Sequence, residues 1–303
     1  MNNSINAKCP VCGNSNDRKF KHIGRPVLSP KAKIIFEEVY HVIRCKDCRF
    51  YFVSPQNISD AEMSKLYDEH YFTEMTTWWA KKRERDRRNR LNKLQTFSKG
   101  KIKHFLDVGC GEGYVLLEAA DRGWKAHGID VFDNRVDTAK REDIHFTGGD
   151  LFTAKFPDNY FDAVYMDSVL EHIFNPVDYL KEIRRILTRG GVIYIGVPNE
   201  DCLFNDTKKL LYFCMGKRDV SDRIKPFIPP YHVSGFTKKS LLTAVLQSGF
   251  KVLKVRIFGG QYEFLKFRAL SKPFLVNLVL CPIHLCAIPM RKQIYLEAIL
   301  TKV

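Results

Sequence analysis

Acid is in short supply in this sequence: 34 Asp and Glu stand against 49 Lys and Arg in 303 residues, a net charge of +15. A strongly acidic, solvating chain is thereby excluded, and 45% hydrophobic with 13% aromatic content belongs to an ordinary globular protein. A chain of this length buries one large core, or a core plus a small satellite. Also missing is a long clean apolar run. The nearest approach, FLVNLVLCPIHLCAIPM over 274–290, has 17 residues interrupted by Asn277, Pro282, His284 and Pro289, too short and too broken to span a bilayer. It reads as a buried or capping helix or, with Lys272, Arg291 and Lys292 at its ends, as an interfacial segment in peripheral contact with a membrane. No basic stretch followed by an apolar run and a small-residue cleavage site opens the sequence, so the expected address is cytoplasmic, with peripheral contact at the inner face of the membrane. Internal repeats and low-complexity tracts are absent.

Cysteine is present, nine times, but not in the spacing of a disulfide framework. Cys9 and Cys12 form one Cys-x-x-Cys pair, and Cys45 and Cys48 another. Four thiolates from two turns make a closed tetrahedral shell, which predicts structural zinc at a ribbon with no position left open for substrate. His22 and His41 lie between the pairs and read as ordinary packing or surface residues. Cys110, Cys202, Cys214, Cys281 and Cys286 read as free thiols.

The charge is unevenly placed. Residues 1–104 carry 22 Lys and Arg against 11 Asp and Glu (+11), residues 105–199 carry 10 against 16 (−6), and residues 200–303 carry 17 against 7 (+10). The basic flanks suit an anionic partner of some kind. Ser59 with Glu62 has the spacing of a capping box and predicts a short helix there. WWAKKRERDRRNRLNKLQTF, 78–97, predicts a long basic helix, a solvated face more often than a phosphate grip because Glu84 and Asp86 interrupt the basic run.

From 104 onward strands and helices alternate. HFLDVG, KAHGID, IHFTGGD, FDAVYMD and GGVIYIGVP predict strands. YVLLEAADRGW, VFDNRVDTAKR and NPVDYLKEIRRIL predict helices between them. After Pro198 the alternation lapses for about 35 residues before TKKSLLTAVLQSGF and FKVLKVRIFG, an insertion of the kind that forms a lid. QIYLEAILTKV, 293–303, predicts a last strand. The expected fold is α/β, a doubly wound parallel sheet with an antiparallel last strand, plus the small ribbon. The expected domains are 1–56 for the ribbon, 57–103 for a helical linker or cap, and 104–303 for the α/β domain, with the lid at about 199–236.

The stretch DVGCGEGY, 107–114, falls at the first strand-to-helix turn, where open parallel sheets bind their ligands. It is not the Gly-x-Gly-x-x-Gly of a dinucleotide site, since position 114 is Tyr, and no Lys-Ser/Thr follows as in a Walker loop. Asp107 beside the loop repels pyrophosphate but attracts an ammonium group. Asp130, 23 residues further on, ends the second strand where an acid takes ribose hydroxyls, and Asp150 ends the third, within reach of an adenine amino group. These features describe an adenosine that lacks phosphates and carries an amine: S-adenosylmethionine.

DVGCGEGY, HGID, GGDLF, FDAVYMDSVLEHIFNPVDYLKEIRRILTRGGVIYIGVPN and YHVSGFTKKSLLTAVLQSGF, in order over 104–259, together resemble the class I S-adenosylmethionine-dependent methyltransferases. The stretch from CPVCG to LYDEHYF is similar to the zinc-ribbon extension of small-molecule methyltransferases in bacterial sugar, polysaccharide and lipid pathways. The large C-terminal domain usual in the sugar C-methyltransferases with such a ribbon is not in this sequence, so their substrate does not transfer. The resemblance implies that Asp107, Gly109, Gly111 and Gly113 cradle the methionine part. It places the ribose at Asp130 with Val131 beside the adenine, the adenine at Asp150 and Leu151, and the sulfonium beside Asp167 and Ser168.

Methyl transfer from a sulfonium is an in-line displacement in which positioning supplies much of the rate, and a hydroxyl acceptor gains from a base. The candidates are His232 in PPYHVSGF, His172 in VLEHI and the adjacent Glu171. The leading expectation is O-methylation of a small molecule or a lipid- or nucleotide-linked sugar. A second is an RNA methyltransferase docking through the basic N-terminal region. Against it, aromatic and basic residues do not interleave, and the chain has DSVL where some amino-group methyltransferases have an Asn-Pro-Pro-Tyr-like sequence. A third is a binding module that holds the cofactor without turnover.

Overall fold

Strands buried on both faces need near-continuous apolar runs, and the computed structural model gathers this chain's runs into one seven-stranded sheet. It describes residues 7–24, 41–54, 80–99, 102–216, 232–259 and 269–303. The strands are β1 (Phe20–Gly24), β2 (His41–Cys45), β3 (Tyr51–Ser54), β4 (His104–Val108), β5 (Lys125–Asp130), β6 (Ile144–Gly148), β7 (Phe161–Asp167), β8 (Leu187–Pro198), β9 (Ser234–Gly235), β10 (Phe250–Phe258) and β11 (Tyr295–Lys302). The α-helices are α1 (Ala80–Phe97), α2 (Tyr114–Asp121), α3 (Pro176–Ile186), α4 (Leu203–Cys214), α5 (Lys238–Gln247) and α6 (Lys272–Ala287). The chain divides into two compact units. One takes 58–196, 244–254 and 298–303; the other takes 1–57, 197–243 and 255–297.

The seven-stranded sheet is ordered β6-β5-β4-β7-β8-β11-β10, mostly parallel with an antiparallel end, and β4 to β7 lie wholly in the first unit. The chain runs outward from β4 to β5 and β6, then returns to the other side of β4 with β7. That reversal is the switch point at which a doubly wound sheet opens a crevice at its strands' C-terminal edge. Parallel register puts Asp107 opposite Tyr165 and Phe105 opposite Ala163. It also puts Tyr165 opposite Tyr194. Leu91 and Leu94 of α1 and Leu116 and Ala119 of α2 bury themselves in one core cluster with Phe105, Trp124, Tyr165 and Tyr194.

Helix α3 shows how burial decides. Pro176 opens it at a position where no amide is needed, but the Asn175 side chain makes no capping bond. A missing cap costs about 1 kcal/mol. Burying Val177, Leu180, Ile183 and Ile186 on one stripe contributes roughly 2 kcal/mol for each side chain, and packing wins.

The second unit holds the cysteine pairs on a four-stranded antiparallel sheet, β1-β2-β3-β9. Its last strand comes from beyond the insertion: Tyr51 pairs with Gly235 and Phe52 with Ser234. Phe50 packs on Phe236 with ring centroids 5.1 Å apart, and Asp201 pairs with Arg49 at 3.2 Å. The Thr237 amide donates to Ser240 Oγ at 2.8 Å and the Ser240 amide to Thr237 Oγ1 at 3.2 Å, a reciprocal start for α5.

Three expectations need correction. VFDNRVDTAKR is not a helix and contains only a 3-10 turn over Asp137–Ala139. Arg135 folds back on Asp133 at 2.8 Å and reaches the Ala139 carbonyl at 3.2 Å, which fixes an irregular loop instead. The insertion after Pro198 is not irregular throughout, since α4 lies in it; residues 217–231 are outside the described residues. The ribbon does not end at 56 as a separate piece, because β9 completes its sheet. The helix expected at 59 lies outside the described residues.

Along the N-terminal ends of the strands, away from the glycine turn, His104, Lys125, His127 and His145 line a cavity of about 320 Å³. Burial, and then His145 beside it, lowers the His127 pKa from 6.5 to about 4, and its Nε2 lies 2.8 Å from Thr147 Oγ1. The fold therefore favours the neutral ring. The unfolded chain takes up the proton first, so stability present above pH 6.5 is lost as pH falls toward 4. In His127→Asn, urea unfolding followed between these pH values should show a shallower loss than in the wild type. Equal slopes would assign the acid sensitivity elsewhere.

Candidate cofactor site and metal centre

The glycine turn leaves β4 and enters α2 within a few residues, and its backbone forces the residue type. Gly109 (φ 69°) and Gly113 (φ 78°) are left-handed; a Cβ on Gly109 would meet Val169 Cγ2 at 2.5 Å, and one on Gly113 would meet Ala139 Cβ at 2.8 Å. The amides of Gly109 and Cys110 donate to the Ile129 carbonyl at 2.8 and 3.2 Å. Gly111 donates to Asp130 Oδ2 at 2.8 Å and Val131 to Asp130 Oδ1 at 2.7 Å. The turn is thus tied to the end of β5.

Three carboxylates serve the same edge. Asp107 is buried, and burial first, then Asp130 and Asp167, push its pKa well above the usual carboxylate range; Arg87 opposes the shift. Asp130 is also raised by burial, in spite of its amide donors. Such crowding favours a ligand that brings positive charge. Val131 and Phe152, the latter 53% exposed, leave apolar side chains in the open just beyond β5 and β6, an arrangement suited to a flat base.

The remaining sequence-predicted residues fall out unevenly. Asp150 caps its own turn, accepting from the Phe152 amide at 2.7 Å and the Thr153 amide at 3.0 Å, so one oxygen is already engaged. Leu151 is fully buried behind that turn. Asp167 is bonded by Arg90 and by the Tyr165 hydroxyl at 3.2 Å, and Ser168, left-handed at φ 60°, donates its amide to the Gly196 carbonyl at 2.9 Å. Glu171 is buried and His172 half-buried on the short turn Leu170–His172 that follows β7. His232 belongs to the other unit, half-buried just ahead of β9.

Sequence reasoning missed two arginines. Arg90 donates to the Tyr165 hydroxyl at 3.0 Å as well as to Asp167 and lies over the Tyr194 ring; Arg87 lies 4.9 Å over the Tyr114 ring. The signal was available: Leu91 and Leu94 mark the inward stripe of α1, and Arg87 and Arg90 stand four residues before them on the same stripe.

Residues 106–195 match the protein family described as a methyltransferase domain. The chain carries a class I S-adenosylmethionine-dependent methyltransferase domain. Among relatives, it is 27% identical to a ubiquinone biosynthesis O-methyltransferase of Coxiella burnetii, over 77% of this chain and 99% of that protein. It is 30% identical to an uncharacterised transposon protein of Streptomyces fradiae, over 48% of this chain, and spans only 43% of that protein's length. A crystallised S-adenosylmethionine-dependent methyltransferase from Archaeoglobus fulgidus aligns with 72% of the chain and 94% of its own, at 19% identity and a TM-score of 0.49. In the methyltransferase domain, the convergence of Asp107, Asp130 and Asp167 fits a cofactor with an ammonium and a sulfonium. The glycine turn leaves no room there for side chains of its own.

The cysteines meet as their spacing predicts. Cys9 Sγ lies 3.5 Å from Cys48 Sγ and Cys12 Sγ lies 3.6 Å from Cys45 Sγ, with all four sulfurs within 4.8 Å of one another. Zinc at 2.3 Å from each of four sulfurs sets them about 3.8 Å apart, so the cluster fits a tetrahedral zinc ion. The two turns match each other, with Gly13 donating to the Cys9 carbonyl at 2.9 Å and Arg49 to the Cys45 carbonyl at 3.0 Å. The imidazoles of His22 and His41 pair with each other at 2.7 Å, and neither is part of the sulfur cluster.

Two predictions test these centres. A carboxylate whose pKa is raised in the fold costs stability as pH rises above 3.8, because it must ionise where the fold resists the charge. Asp107→Asn should therefore melt at a higher temperature than the wild type at pH 7 and bind S-adenosylmethionine at least about tenfold more weakly by calorimetry, a loss of about 1.4 kcal/mol. Unchanged affinity would remove Asp107 from the site. For the metal, chelation should release zinc and lower the melting temperature while residual methyl transfer persists at temperatures where the protein stays folded. Complete loss of turnover in folded, zinc-free protein would place the ion in the reaction.

Proposed function

We infer that the protein methylates a hydroxyl on a small molecule, a lipid-linked or nucleotide-linked sugar being the favoured acceptor class. The observation that carries this reading is the acidic crevice beside the glycine turn, built by a domain that matches the methyltransferase family over residues 106–195. S-adenosylmethionine supplies an electrophilic methyl group when bound. Asp107 and the turn at Gly109, Gly111 and Gly113 would hold its methionine part. Asp130 would hold the ribose, Val131 and Asp150 would flank the adenine, and Asp167 with Ser168 would border the sulfonium. Arg90 keeps Asp167 and Tyr165 in place from α1, a positioning role. The O-methyltransferase relative, similar over nearly its whole length, supports oxygen as the acceptor atom. His172 and Glu171 next to β7 remain proposed bases.

The RNA reading loses its main support in α1. Arg90 is spent on Asp167, Arg87 covers Tyr114, and Arg88 pairs with Glu84 at 3.6 Å and Glu118 at 3.5 Å. With Arg87 and Arg90 engaged in this way, and Arg88 in the open beside two acids, the helix offers fewer free cations to a phosphate backbone.

Purified protein incubated with methyl-labelled S-adenosylmethionine and a bacterial extract should place label in the lipid or small-molecule fraction, and the ester or ether character of the new bond then identifies oxygen. Label confined to RNA would overturn the acceptor class. Cofactor binding with no label in any fraction would favour the non-catalytic module.

A further inference from the structure

Helix α6 is inside out. An ordinary surface helix turns its large apolar residues inward and its polar ones to water. The buried residues of α6 are Asn277, Cys281, His284 and Ala287, spaced as one helical stripe, with the His284 ring stacked on Phe204 of α4 at a centroid distance of 5.8 Å. Val276, Val279 and Leu285 are exposed instead, Val279 by 71%, and Ile288 and Met290 continue the pattern past the helix end. Its neighbour α4 behaves alike, exposing Leu210, Leu211 and Phe213, the last by 73%. Two adjoining helices thus present an apolar surface left open among the described residues.

The charge around that surface is mostly of one sign. Residues 207–216 and 269–294 contain no Asp or Glu, while Lys208, Lys209, Arg291 and Lys292 lie along them. Asp206, in the first turn of α4, is the one acid there, and Lys292 at 2.7 Å and Lys209 at 3.9 Å both pair with it. Apolar side chains framed by cations are what a helix lying in the headgroup region of an anionic bilayer needs. A second copy of the chain would bring the same cations against them, which disfavours a two-fold contact. Among the described residues no helix is long and apolar enough to cross a membrane, and Pro282 interrupts α6.

We propose that α4 and α6 form a docking surface by which the protein lies on an anionic lipid bilayer. This surface stands apart from the identity of the methyl acceptor and is tested without turnover. Full-length protein is floated with vesicles of phosphatidylcholine alone or with phosphatidylglycerol added, at low and high salt. The wild type should float with the anionic vesicles and less at high salt. The double variant Phe213→Glu, Val279→Glu alters only side chains already in the open, so its thermal melt should match the wild type. Its vesicle partition should fall at least about tenfold, since two apolar anchors become like charges facing an anionic surface. Failure of the wild type to float with any vesicle overturns the proposal, as does equal flotation of the double variant. A wild-type dimer that the double variant dissolves, without vesicle binding, would also overturn it and assign the surface to a second copy.

Discussion

Asp107 is a carboxylate held inside a parallel sheet, and the methyltransferase unit is arranged around the cost of keeping it there. Burial and two neighbouring acids oppose its charge, and Arg87 eases it only in part. A sheet edge that gathered such acids for packing alone would be a poor solution, because an apolar side chain of the same size fills the space without the desolvation penalty. The arrangement makes physical sense when a cation arrives. The ammonium and sulfonium of S-adenosylmethionine would meet that need at two points, and the same burial that destabilises the free carboxylate would strengthen its attraction to such a ligand.

The turn beside it follows from the same constraint. For the ligand to approach backbone amides closely, the chain must leave β4, reverse and start α2 without side chains in the way. Gly109 and Gly113 achieve this in conformations and spaces closed to other residues. Asp130 then serves twice, as an acid at the end of β5 and as the acceptor that fixes the Gly111 amide. Removing it would loosen the turn along with the ribose contact proposed for it, so the two contributions would not separate into independent parts.

Legibility from sequence tracked how local the deciding interaction was. Buried strands announced themselves by apolar runs, and the paired cysteines by a spacing that has few other uses. The acids at strand ends were legible because strand and helix alternation fixes where a C-terminal edge falls. VFDNRVDTAKR failed because its polar pattern permits a helix, while the decisive contacts are Arg135 folding onto Asp133 and reaching the Ala139 carbonyl. The arginines of α1 were read as solvent-facing because composition dominated that stretch. Their true direction was set by Leu91 and Leu94, two apolar residues in a strongly basic helix. The completion of the ribbon sheet by β9 was beyond any local signal, since Ser234 and Gly235 lie about 180 residues from the strand they join.

The two units also show opposite uses of burial. In the sheet, apolar side chains go in, and the buried acid Asp107 lies beside the glycine turn. In α6, Asn277 and His284 go in while valine and leucine stay out. Stability within the unit does not explain this, because exchanging the two faces would bury more apolar area and return the polar groups to water, at roughly 25 cal/mol gained for each Å². An orientation that leaves this apolar area open is what a partner outside the unit would require, and the lysines and arginines beside it favour a partner of negative charge. An anionic bilayer, the occupant proposed for this surface, would meet the apolar and the electrostatic requirement together.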